Sequence, residues 1–140
     1  MATLQQAIDQ IQDLVGALTD IRAAPDEPPE RMNAYPFAVC FAGDGAYHLG
    51  PPDLMTGLHN IILELHVARK NLPRDISTAM GFAKSIPNAI FAGFVAGSLP
   101  AISTFEQISY VFGTLPTWPD TPTVGFRFTI ENVKTQDEVT

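Results

Sequence analysis

The sequence predicts an α+β domain with an antiparallel or mixed sheet of about four to five strands, and with an N-terminal helix and a broken mid-chain helix packed on one face. Two observations support this class. Apolar residues recur every three or four positions near the start and in the middle of the chain, and every two positions elsewhere. The predicted order is therefore helix, two or three strands, broken helix, two strands. A length of 140 residues suits a single domain over residues 1–140.

Residues 3–22 are predicted to form an amphipathic helix. The apolar positions at helical spacing are Leu4, Ile8, Ile11, Val15 and Leu18. Thr3 and Gln6 have the spacing of a capping box, in which each side chain satisfies a backbone N–H of the first turn. Residues 23–34 contain three prolines among four charged residues, which predicts an extended linker.

The first predicted strands follow this linker. Aromatic and apolar residues alternate from Tyr35 to Phe41, and the Gly43-Asp44-Gly45 segment is expected to form a turn leading to a hairpin arm. A second alternating run, residues 59–68, has one apolar face and one mixed face. The chain between them, residues 44–57, is expected to be largely a loop.

The second half of the chain is predicted to contain a helix followed by two strands. Pro73 is expected to open a helix that Pro87 interrupts. Two alternating strands follow, around residues 108–112 and 124–130, joined by a proline-rich loop at 115–122. Polar residues 134–140 are expected to be a flexible tail.

Composition excludes several classes of function. With a formal charge of −7, the chain should not be attracted in general to DNA phosphates or anionic membranes. The single cysteine, Cys40, forms no internal disulfide, which favours a reduced, intracellular setting. The longest uncharged stretch, residues 85–105, contains two prolines and two glycines, so we expect no membrane span.

The polar residues of the second strand suggest a metal site, and strand geometry argues against it. Glu64 and His66 share one face while His59 lies on the other, so the strand supplies two ligands at most. We expect these side chains to lie on a solvated or partner-facing side. Cys40 is expected to be inert packing. The chain has no catalytic motif, so we predict that it is not an enzyme and uses no metal or cofactor.

Charge is distributed unevenly along the chain. Residues 69–84 carry four basic side chains against Asp75, whereas residues 1–30 carry six acidic ones against Arg22. Opposite charges of this kind favour head-to-side association of identical copies, which closes into rings. A solvated basic helix start is the alternative, because surface charges usually contribute little.

The layout of the whole chain is similar to that of a known family. The relevant features are the N-terminal helix of about twenty residues, the strands at 35–39 and 60–67, the helix ending at 85–89, and the final aromatic strand at 125–130. In this order and texture the chain resembles the tail terminator (tail completion) proteins of long-tailed bacteriophages.

The resemblance implies a structural virion protein that is assembled in the host cytoplasm. In that family a homohexameric ring caps the head-proximal end of the tail tube, stops polymerisation of the tail tube protein and offers a surface to head-closure or connector proteins. DNA passes through the lumen without specific binding. An acidic subunit suits such a channel, because a channel that must release DNA should repel phosphates.

The interface residues of such a ring can also be predicted. The basic group Arg69, Lys70 and Arg74 is expected to contact the neighbouring subunit. The apolar loop residues Met55, Leu115 and Trp118 are expected to be adaptable partner contacts, with core packing as an equal alternative for Trp118.

Two other classes of protein fit the same pattern. One is another head–tail adaptor or minor tail protein. The other, more distant, is a small α+β ligand-binding or regulatory domain with an apolar pocket between sheet and helices. Oligomeric state separates these classes, because a ligand-binding domain should be a monomer or dimer and a terminator should form rings.

Overall fold

The fold is an antiparallel sheet with helices on one face. The computed structural model describes residues 3–18, 21, 36–50, 53–68, 72–115 and 123–139. In chain order the elements are α1 (Leu4–Gly16), β1 (Phe37–Gly50), β2 (Leu54–Ala68), α2 (Leu72–Met80), α3 (Phe82–Val95), β3 (Gln107–Leu115) and β4 (Thr123–Glu138). The sheet order is β1-β2-β4-β3, and every neighbouring pair is antiparallel. The predicted α+β class with about four strands is confirmed, whereas the predicted linker 23–34 lies outside the described residues.

The core lies between the sheet and the helices. Strand register places Leu63 of β2 between Cys40 of β1 and Phe128 of β4, and each of these side chains is at most 1% exposed. The helices add Ile8, Ile11, Val15, Ala79, Phe82, Ile86 and Ile90 to the same cluster. One face of the sheet is therefore buried by all three helices, and its burial supplies the main driving force for folding.

Helix α1 begins where the sequence predicts and ends earlier. Thr3 Oγ1 accepts a hydrogen bond from Gln6 N at 3.2 Å, and Gln6 Oε1 accepts one from Thr3 N at 2.9 Å, which confirms the capping box. The helix ends at Gly16 rather than at residue 22, because glycine is a poor helix former. Leu18 and Ile21 still pack on the core although they lie beyond the end of the helix. Their helical spacing therefore predicts correctly that they are buried, but it does not predict where the helix ends.

The mid-chain helix is broken at Gly81, and the prediction of a break at Pro87 is wrong. Helix α3 runs through Pro87, which has no N–H to donate to the carbonyl of Ala83. A single lost hydrogen bond is tolerated here because Ile86 and Ile90 on either side of the proline are fully buried against the core. The proline therefore lies inside a helix that packing holds in place.

Two β-bulges meet at Asn60 of β2. On one side β1 inserts an extra residue between Ala42 and Gly45, and on the other side β4 does the same around Asn132. Asn60 Nδ2 donates to Asp44 Oδ1 at 2.7 Å, and Asn60 Oδ1 accepts a hydrogen bond from Asn132 N at 3.2 Å. One side chain therefore joins both bulges.

The bulges divide the sheet into two parts. Above them, residues 45–50, 54–59 and 133–138 form a three-stranded extension, which we call the arm. Below them, residues 37–42 and 61–68, with the adjoining parts of β4 and β3, form the covered half, against which the helices pack. The arm continues the same strands beyond the helices.

The arm corrects three predictions. The Gly43-Asp44-Gly45 segment is a bulge within β1 and not a turn, and most of the predicted loop 44–57 is paired strand. Residues 134–138 belong to β4, so the prediction of a flexible tail is wrong for them. A Cβ at Gly45 would lie 2.7 Å from His59 Nδ1. This glycine therefore marks a close approach between strands rather than a chain reversal.

Candidate functional site

Four polar side chains form a connected cluster on the face of β2 that points away from Leu63. Arg127 Nε donates to Glu64 Oε2 at 2.7 Å, and Glu64 Oε1 lies 2.9 Å from His66 Nε2. On its other side, His66 Nδ1 lies 2.6 Å from Thr123 Oγ1. Glu64 and Arg127 are direct neighbours in the strand register. The cluster therefore links β2 to β4 through side chains in addition to the backbone ladder.

Three of the four side chains are buried, which overturns the expectation that Glu64 and His66 face solvent. Both residues are 0% exposed and Thr123 is 1% exposed. A hydroxyl, an imidazole and a carboxylate in a row are also the parts of a catalytic triad, but the hydroxyl of a triad must reach a substrate. Since Thr123 is enclosed in the fold, we interpret the cluster as structural. Strand alternation predicts which residues share a face and not whether that face is covered.

His59 fills the base of the arm. Its ring lies over two glycines, because a Cβ at Gly45 or at Gly57 would meet the imidazole. Nε2 lies 3.2 Å from Thr135 Oγ1, and the ring of Tyr47 packs edge-on at 5.0 Å between centroids. Burial lowers the pKa of His59, since the charged imidazole loses hydration there. The neutral ring therefore acts as packing for a part of the sheet that none of the three described helices covers.

The arm carries an uncovered surface on the same side of the sheet as the helices. In the register of β1, β2 and β4, Leu49 lies beside Met55 and Met55 beside Asp137, while Tyr47 is two residues before Leu49. Leu49 is 77% exposed and Tyr47 is 56% exposed. We call these four residues the arm face. Exposed aromatic, Met and Leu side chains at neighbouring positions are typical of protein contact surfaces.

A second exposed surface runs along the outside of α2 and α3. Met80, Lys84, Phe91 and Val95 recur at spacings of four, seven and four, which places them on one side of the bent helix. All four are exposed, Val95 to 86%. The ring of Phe91 stacks on Phe105 at 5.5 Å, so it is held in place while its outer side stays open. We call this set the helix stripe.

The predicted interface residues fall in different places. Met55 lies on the arm face, half-buried, and Arg74 is exposed on α2 near the opposite end of β2. Leu115 is the last residue of β3 and is only 6% exposed, so the prediction of an exposed loop contact is wrong for it. Its partner in the ladder is Thr123, which explains its burial at the sheet end. The remaining three predicted residues, Arg69, Lys70 and Trp118, lie outside the described residues.

Sequence reasoning missed most of the arm face. From the sequence alone, Tyr47 and Leu49 are predicted to lie in a hairpin arm and Asp137 in a flexible tail. The signal that identifies them is the alternation Tyr47, Leu49 and Met55, which continues the period of two on both sides of Pro51 and Pro52. The glycines at 43 and 45 masked this signal, because they were interpreted as a turn.

Cys40 is packed in the core, as predicted. It is 1% exposed, and burial, assisted by the negative charge of Asp9, raises the pKa of its thiol to about 12. Since the thiolate is the reactive form, the neutral thiol is a poor nucleophile at physiological pH.

A small cavity that is open to solvent lies at the tip of the arm. It has a volume of about 330 Å³ and is lined by Asp53, Leu54, Glu138 and Val139. Val139 N donates to Asp53 O at 2.9 Å, which holds the end of β4 against the start of β2. This cavity therefore lies at the outer end of the arm.

No protein-family model matches the chain, and no curated protein matches it. Within the part of the chain that the structure describes, no group of three or more His, Cys, Asp or Glu side chains is placed to hold a metal ion. No helix among these same residues is long and apolar enough to span a membrane.

Proposed function

We propose that this chain is a structural virion protein that forms a ring at the head-proximal end of a phage tail tube. The ring stops polymerisation of the tail tube protein and provides the surface for a head-closure or connector protein. The observation that carries the proposal is the arm face, where Leu49 and Tyr47 are exposed beside the half-buried Met55 and where no helix of the described residues lies over them. A small apolar surface of this kind can remain exposed to water. Its burial against a protein partner lowers the free energy of the system.

The architecture supports an assembly role in a second way. The arm and the helix stripe lie on different elements and have different chemistry, so one subunit offers two unlike contact surfaces. Unlike surfaces on identical subunits produce heterologous contacts, which close into rings when the rotation between subunits is an integral fraction of a turn. A terminator also needs one side for the tube and another for the head.

The charge of the chain supports passage of DNA through such a ring. The formal net charge of −7 is incompatible with strong non-specific attraction of phosphates. DNA that moves through a lumen of acidic subunits is not held there by electrostatic attraction between its phosphates and the protein. This agrees with a channel role, in which the ring surrounds DNA without binding it specifically.

The test is whether the chain caps tail tubes. Purified chain, with and without preformed tail tubes, is measured by light scattering and imaged by electron microscopy. Rings of six, or monomers that become rings on tube ends and stop further tube growth, are the expected result. A chain that neither forms rings nor binds tube ends contradicts the proposal, and binding to connectors without binding to tubes assigns it to the head–tail adaptors instead.

A matched pair of variants sharpens this experiment. The double substitution Tyr47→Ser and Leu49→Ser removes the two exposed apolar side chains of the arm face, and Val111→Ser makes the same kind of change at a 69% exposed position on β3. We expect the first variant to lose capping while it keeps its fold by circular dichroism. The second is expected to cap as the unmodified chain does.

A further inference from the structure

We infer that the arm face of one copy docks on the helix stripe of a second copy. This inference rests on the proposed ring and goes further, because it names the two surfaces that meet. The arm face consists of Tyr47, Leu49, Met55 and Asp137, and the helix stripe of Met80, Lys84, Phe91 and Val95. The occupant of the uncovered arm is therefore another molecule of this chain.

The first argument is charge complementarity. The exposed charged side chains of α2 and α3 are Arg74 and Lys84, both positive, since Asp75 is only 8% exposed. The arm face carries Asp137, and the outer end of the arm also carries Glu138, on the opposite face of β4, and Asp53 at the tip. Lys134, nearer the bulge, is its one positive residue. Opposite net charges steer the two surfaces together and disfavour arm-to-arm or helix-to-helix contact between like charges.

The second argument is the match in apolar content. Leu49 is 77% exposed and Tyr47 is 56% exposed, while on the stripe Val95 is 86% exposed and Phe91 is 45% exposed. Each surface therefore combines exposed apolar side chains with charged ones, Asp137 on the arm face and Lys84 between Met80 and Phe91 on the stripe. Covering both rows together removes more apolar area from water than covering either row with a polar surface. Aromatic side chains on both sides are typical of the centres of stable interfaces.

The third argument is geometric. The arm face and the helix stripe belong to different parts of the subunit, and the arm extends beyond the helices that cover the remainder of the sheet. Each copy therefore donates its arm to one neighbour and accepts an arm from another. Such a head-to-tail contact leaves no copy unpaired when the ring closes.

Charge reversal tests the inference directly. One variant carries Arg74→Glu and Lys84→Glu, and the other carries Asp137→Lys and Glu138→Lys. Sedimentation velocity over a range of protein concentration and salt measures their association. We expect each variant alone to associate about tenfold more weakly than the unmodified chain at low salt, because reversing the charge of one surface turns its attraction to the other into repulsion. An equimolar mixture is expected to recover association, because the acidic arm of the first variant fits the basic stripe of the second and the reverse pair also fits.

A third variant tests whether helix α1, rather than the arm, binds the helix stripe. Asp9→Lys with Asp13→Lys reverses charges on α1, the other acidic element of the described chain. If this variant loses association while the arm variant keeps it, α1 and not the arm binds the stripe, and the inference is overturned. Recovery in the mixture shows that the two reversed chains are folded, and each is checked by its thermal melt.

The outcomes separate this inference from the proposed function. Rings that form equally well from all reversed chains overturn the docking of arm on stripe and leave the capping role intact. A chain that stays monomeric in solution at about 1 mM, where contacts with Kd values in the millimolar range become visible, also overturns the docking, and the capping role is then decided by the tube experiment. Failure of tube capping with recovery in the mixture supports the docking and contradicts the proposed role.

Discussion

The arm continues three of the four strands of the covered half, yet the two parts are stabilised differently. In the covered half, Leu63 lies between Cys40 and Phe128, and helices bury all three side chains. In the arm, the corresponding row is Leu49, Met55 and Asp137, and within the part of the chain that the structure describes no helix covers it. The comparison teaches that the backbone ladder can continue past its hydrophobic core when local packing replaces the helices. Here that packing is the His59 ring lying between strands.

The sharpest way to break this comparison is to disrupt the covered half at Gly125. A Cβ at this position would overlap the carbonyl oxygen of Leu65 on the neighbouring strand, and backbone moves less readily than a side chain. We expect Gly125→Ala to lower the free energy of unfolding by about 4 kcal/mol, or to prevent folding. Chemical denaturation measures the effect. Gly50→Ala is the control, because its Cβ would meet only Leu54 O at an ordinary 3.5 Å, and a similar loss there would contradict the explanation.

Removal of the buried carboxylate should have the next largest effect. Glu64→Ala removes the carboxylate beside the buried His66 and also removes the ion-pair partner of Arg127. The Arg127 side chain is 41% exposed, so water hydrates it in part after this change. We expect a loss of about 3 kcal/mol in unfolding free energy, measured by denaturation. Glu138→Ala, which removes an exposed carboxylate, should change stability by less than about 0.5 kcal/mol. Equal effects at the two positions would show that the buried cluster does not stabilise the sheet.

A change at Gly57 should loosen the arm and leave the covered half intact. A Cβ at Gly57 would collide with the imidazole of His59 and also meet Thr135 Oγ1 at 2.9 Å. We expect Gly57→Ala to cost about 2 kcal/mol and to raise amide exchange in residues 54–59 and 133–138 more than in residues 61–67. Hydrogen exchange with mass spectrometry measures this. Uniform loss of protection in both parts would mean that the arm and the covered half unfold as one unit.

The smallest effect concerns pH. Burial lowers the pKa of His59 from its ordinary 6.5, so below pH 6.5 the unfolded chain binds more protons than the folded chain. The contribution of His59 to stability is therefore complete above pH 6.5 and is lost as pH falls below it. His59→Gln should flatten this part of the stability profile measured by thermal melting. His48→Gln, at an exposed position of the arm, should leave the profile unchanged; the same flattening there would contradict the assignment to His59.

Much of the fold could be predicted from the sequence, because burial leaves a periodic pattern. Side-chain spacing alone predicts the capping box at Thr3, the apolar face of α1 and the alternation of β2. Predictions failed where one residue type has two structural uses. Gly43 and Gly45 are compatible with a turn and with a bulge, and Pro87 is compatible with a helix end and with a helix interior held by packing.

The candidate site was harder to predict than the fold. Met55 was identified as a contact residue, but the arm face depends on register between β1, β2 and β4, and register requires knowledge of which strands pair. The burial of Glu64 and His66 depends in the same way on what covers the second face of the sheet. Spacing within one strand carries no information on either point.

The double bulge at Asn60 makes the reach of the subunit adjustable. Side chains alternate between the two faces, so the insertion of two residues in each of the three arm strands preserves every face and lengthens the extension by roughly 7 Å. The insertion of one residue would instead invert the arm, turning Leu49 and Tyr47 to the opposite side. Because the change lies above Asn60, the packing of Leu63 and its neighbours is untouched. The distance over which one subunit contacts another is thus a property that small insertions alter in fixed steps, independently of the stability of the domain.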